Sequence, residues 1–68
     1  MNEIVFEVIE ADEGGYAARA LGHSIFTQSE DWNELKEMVR EAVLCHFEEA
    51  GTPKKIRLLQ VRDEVITI

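Results

Sequence analysis

Apolar and polar side chains alternate with a period of two over residues 4–9 (IVFEVI), setting Ile4, Phe6 and Val8 on one face and Val5, Glu7 and Ile9 on the other. That alternation in a β-branched and aromatic run predicts a strand with one strongly apolar face. Residues 11–15 (ADEGG) come next, and the paired glycines supply the positive φ angles that a hairpin connection requires. Residues 16–21 (YAARAL) predict a second strand, although alanine is a weak β former. Gly22-His23 is short enough for a turn, and residues 24–28 (SIFTQ) predict a third strand. Together these segments form an antiparallel meander.

The period then changes to that of a helix. Asp31 is placed to cap it and Glu34, three residues on, to complete a capping box, while Gly51 and Pro53 stop it. At about 100° per residue, Leu35, Val39, Ala42, Val43, His46, Phe47 and Ala50 fall on the side of Trp32, and Glu34, Glu37, Glu41 and Glu48 fall opposite. The pattern predicts an amphipathic helix of about 19 residues laid across one face of a sheet. Beyond Pro53, residues 56–61 (IRLLQV) read as an extended arm or a strand, and residues 65–68 (VITI) as a strand by composition. Arg62-Asp63-Glu64 lacks the Gly or Asn of a tight turn, which favours an extended connection to a final strand over a five-stranded sheet. The expected architecture is a single α+β domain over residues 1–68, in β-β-β-α-β order: a three-stranded antiparallel meander, one helix packed on it, and a C-terminal strand.

Composition narrows the function classes. The chain has 68 residues, 46% of them hydrophobic and 31% charged, which is ordinary globular usage. A chain of about 60 residues buries only about 60% of its unfolded surface, so a large catalytic cleft is not expected. The single cysteine allows no internal disulfide, no Cys/His set has zinc-ligand spacing, and no cofactor is implied. No basic, apolar leader or membrane-spanning run is visible, so a cytoplasmic location without membrane contact is expected. The net charge is −7, and it is unevenly placed: residues 1–34 hold eight acids and one base, whereas residues 35–68 hold six of each. A field of that sign repels phosphate backbones and attracts a basic partner.

The acidic run before Gly14-Gly15-Tyr16 in IVFEVIEADEGGYAARA, followed by TQSEDWNELKEMVREAVLCHFEE entering the helix, resembles the small domain of HicB-like antitoxins over most of residues 3–50. The resemblance implies a three-stranded sheet backed by a helix, a partial version of the double-stranded-RNA-binding-domain architecture. It also implies the role of binding and neutralising a small basic toxin that cleaves RNA. Where that family usually has a proline-rich turn ending in Pro-Gly-Cys, this chain has Ala20-Leu21-Gly22-His23-Ser24. Residues 1–68 leave no room for the family's DNA-binding module, so direct operon repression is not expected.

On this reading the protein is not an enzyme. The expected partner surface is the acidic strand and turn, Glu7, Glu10, Asp12 and Glu13 with Tyr16, and Leu44 marks a second contact because it stands among glutamates away from the core. A homodimer is expected, with exposed strand edges available for pairing. The alternative is a nucleic-acid-binding module acting through Lys54, Lys55, Arg57 and Arg62, which lack interleaved aromatic residues for base stacking. His46 reads as a core or edge residue and Cys45 as a small hydrophobe at the margin of the buried face. His23 falls in a turn, and Asp12-Glu13 does not match a calcium loop.

Overall fold

The strand expected from residues 4–9 is β1, Glu3–Glu10, the central element of a computed structural model that describes residues 2–47 and 51–68. Its alternation becomes burial: Ile4, Phe6 and Val8 are sealed in the core while Glu3, Val5 and Glu7 are only half-buried. β2 (Tyr16–Ala20) runs antiparallel to β1, and β3 (Phe26–Ser29) antiparallel to β2. The meander is present, with a longer second connection than Gly22-His23 alone. Ala20 N–H donates to the Ile25 carbonyl at 3.0 Å, so the loop closes across residues 21–24.

The first turn is built as its glycines suggest. Gly14 and Gly15 have φ of 95° and 88°, and Gly14 N–H donates to the Ala11 carbonyl at 3.0 Å. Gly15 meets a second requirement that was not visible in the sequence. A Cβ there would lie 2.9 Å from the Ser29 carbonyl oxygen and 3.2 Å from Glu30 Cα, so the turn is packed against the end of β3.

Helix α1 spans Trp32–Phe47; the expected continuation to Ala50 lies outside the described residues. Asp31 caps it, its Oδ2 accepting from Glu34 N–H at 2.9 Å. The capping box closes through a third residue. Ser29 Oγ donates to Glu34 Oε1 at 2.9 Å and accepts from Asp31 N–H at 3.3 Å, which ties the helix start to the end of β3. Leu35, Val39 and Val43 are buried against the small Ala18 and Ala20 of β2, and Trp32, Ala42 and Phe47 pack around them. His46 and Cys45 are exposed, a correction to the wider apolar face expected for the helix. The buried stripe of the helix is narrow, Leu35, Val39 and Val43, and it shares one core with Ile4, Phe6 and Val8 of β1.

The last strand is β4, Lys55–Val61, parallel to β1 in the register Glu3↔Lys55 to Ile9↔Val61. The sheet order is β3-β2-β1-β4, so α1 is a crossover carrying the chain past β2 and β1 to the far edge. Residues 65–68, read as the final strand, are not in a strand and are exposed. The reason is register. Val61 already lies beside Ile9, and one residue further β1 ends and turns away at Ala11. Residues 62–68 therefore run on beyond the sheet, and the molecule measures 51 × 21 × 17 Å.

Candidate interaction surface

Among the described residues, one face of the sheet is covered by the helix and the other is bare. Directly paired residues share a face, so the register places Phe26, Arg19, Glu7 and Leu59 in one row across the bare face and Gln28, Ala17, Ile9 and Val61 in the next. Four of these are large exposed hydrophobics: Phe26 at 63%, Ile9 at 47%, Leu59 at 45% and Val61 at 41% exposure. Isolated exposed hydrophobics are ordinary, whereas a group on one face is the usual mark of an interaction site. Ala17 is small enough to leave a depression of about 270 Å³ between Phe26 and Ile9, bounded by Glu7 and Arg19.

Glu7 is on this face, and its carboxylate pairs with Arg19 at 3.2 Å. Arg19 is well exposed and Glu7 partly so, so the pair fixes side-chain position more than it adds stability. Arg57 pairs with Glu3 in the same way one strand further out. The other acids of the expected partner surface gather at one end. Glu10 and Asp12 line a cleft of about 610 Å³ with Ile9, Val61, Arg62 and Asp63. Glu13 lies on the other side of the turn, in a second depression with Tyr16, Glu30 and Glu34. The expected acidic surface is thus two shallow clefts flanking the β1–β2 turn, with Glu30 and Glu34 added by the fold. Tyr16 is half-buried, its ring edge-on to Trp32 at 5.1 Å, so it contributes a wall rather than a projecting contact.

Leu44 is 47% exposed and stands apart from these clefts. It lines a groove of about 280 Å³ between α1 and the start of β4, with Val43, Pro53, Lys54 and Ile56. The four basic residues do not share one surface. Lys55 and Arg57 lie on the bare face, Lys54 lies in the groove beside Leu44, and Arg62 stands in the cleft with Glu10 and Asp12.

His23 and His46, 23 positions apart in sequence, come together with Phe47. The ring centroids are 5.8 Å apart for the two histidines and 5.1 and 4.9 Å from each to Phe47. No periodicity could have paired a loop residue with the end of a helix. Among the described residues there is no cluster able to hold a metal ion and no helix long and apolar enough to cross a membrane.

These features define a small α+β domain: one helix on one side of a four-stranded mixed sheet, with the other side open. The chain belongs to the UPF0150 family. It is 46% identical over 66 residues to a UPF0150 protein of Thermotoga maritima, covering 97% of this chain and 93% of that protein. It is 63% identical over 51 residues to a UPF0150 protein of Archaeoglobus fulgidus, covering 75% and 76%. No family model and no solved structure matches it.

Proposed function

We propose that this protein is a non-enzymatic, antitoxin-like binding module that occludes a small basic RNA-cleaving protein with its bare sheet face and the adjoining acidic turn. The observation that carries the reading is the juxtaposition of Phe26, Ile9, Leu59 and Val61 on one uncovered face with Glu10, Asp12 and Glu13 at its end. An apolar centre with a charged border is the anatomy of a protein interface. The acids would steer a basic partner and speed its association by about 10-fold or more at low salt. The HicB-like resemblance of residues 3–50 supports the same chemistry in the partner.

The test is co-expression with the short basic protein of a neighbouring reading frame, followed by affinity measurement across a salt series. The expected result is a complex that weakens with salt, and that loses at least about 10-fold in affinity in Asp12→Lys/Glu13→Lys and in Phe26→Asp. RNA binding at about 150 mM salt that disappears on neutralising Lys54, Lys55 and Arg57 would overturn it in favour of a nucleic-acid-binding module.

A further inference from the structure

Residues 62–68 carry Val65, Ile66 and Ile68 at 86%, 81% and 120% exposure, the largest values among the exposed hydrophobics. They follow directly from β4, which is an edge strand. Parallel pairing with β1 uses one set of β4 backbone groups; the outward set has no strand beside it. An edge of this kind is a template for another strand. The same edge is bordered on the helix side by the groove of Leu44, Val43 and Ile56.

We infer that residues 62–68 form a strand on the β4 edge of a second copy of this chain, and that the exchange is reciprocal. The segment cannot use its own edge, because it continues β4 in the same direction and lies past the end of β1. A second copy related by a two-fold axis near Arg62 presents β4 antiparallel to the segment, and each segment then covers the other copy's edge. With the axis at Arg62, Ile68 comes beside Ile56 of the second copy, Ile66 beside Leu58, and Val65 beside Leu59. Ile56 and Leu58 are the two half-buried residues of β4 that pack against the core, so the isoleucines extend that core towards Leu44. Leu59 is on the bare face, and Val65 joins it there. Apolar residues therefore meet apolar residues on both faces, as an isologous contact requires. The product is one continuous eight-stranded sheet across two copies, with both bare faces still open.

The experiment is the molar mass of the full chain by light scattering over a concentration series up to about 100 μM, with far-ultraviolet circular dichroism as the check on folding. The expected result is a dimer, weakened at least about 100-fold in Ile66→Asp/Ile68→Asp with an unchanged dichroism spectrum. Both residues are solvent-exposed in the single copy, so the substitutions do not touch its core. Phe26→Asp is expected to leave the dimer intact. A wild-type monomer at the highest concentration, a dimer that survives Ile66→Asp/Ile68→Asp, or one lost in Phe26→Asp would each overturn the inference. An intact dimer with no partner complex would instead count against the proposed function alone.

Discussion

Gly15 meets two separate demands at one position, and the pair of glycines allows them to be told apart. Gly14 and Gly15 both hold positive φ, but a Cβ at Gly14 would meet nothing within 4 Å whereas one at Gly15 would press on the Ser29 carbonyl. Gly14→Ala should therefore cost about 1 kcal/mol from the backbone alone. Gly15→Ala should cost about 2–3 kcal/mol, because the end of β3 must also shift. Urea titration of the two variants measures the difference. The sequence announced a turn at these glycines but not the contact with residue 29, which lies in a different hairpin. Phe6 is the opposite case, since its place in the core could be read from alternation alone. Phe6→Ala should cost about 3–5 kcal/mol by the same measurement.

The elements were legible where one local pattern sufficed. β1 and α1 stand where their periodicities put them, and Asp31 caps the helix as its position suggested. Asp31→Ala should lower stability by about 1 kcal/mol. Ser29→Ala should also destabilise, although Ser29 is outside the helix, because it removes the hydroxyl joining Asp31 and Glu34. A thermal melt of each variant checks both. The ends of β2, β3 and the last strand were less legible. Residues 65–68 have the composition of a strand, and composition reports fitness for pairing but does not supply a neighbour. The neighbour was assigned to residues 55–61, because Asn2 takes both the Lys54 and Lys55 N–H groups and starts the parallel register there.

At the scale of the whole molecule, acidic side chains and the segment beyond β4 meet at one end of the sheet. Glu10, Asp12, Glu13, Glu30 and Glu34 gather around the β1–β2 turn, at the end where residues 62–68 leave the sheet. Like charges held together on a small domain oppose its compact state and are screened within about 8–10 Å at physiological salt. Asp12→Lys/Glu13→Lys should therefore leave the thermal midpoint unchanged or raise it, most clearly at low salt, as calorimetry at two ionic strengths would show. The same variant separates stability from recognition, because partner binding should fall while the fold holds.

The sequence by itself determined the α+β class, the element order, the core face of β1, the helix and its cap, and the sign and placement of the charge. Each follows from neighbours within a few residues or from a sum over the chain. Only the tertiary structure decided that the last strand joins β1 in parallel and that His23 meets His46. It also decided which hydrophobics stay uncovered. Those outcomes depend on competition between segments for a limited length of strand edge, and β1 offers eight residues to a chain that brings more strand-forming residues than it can pair.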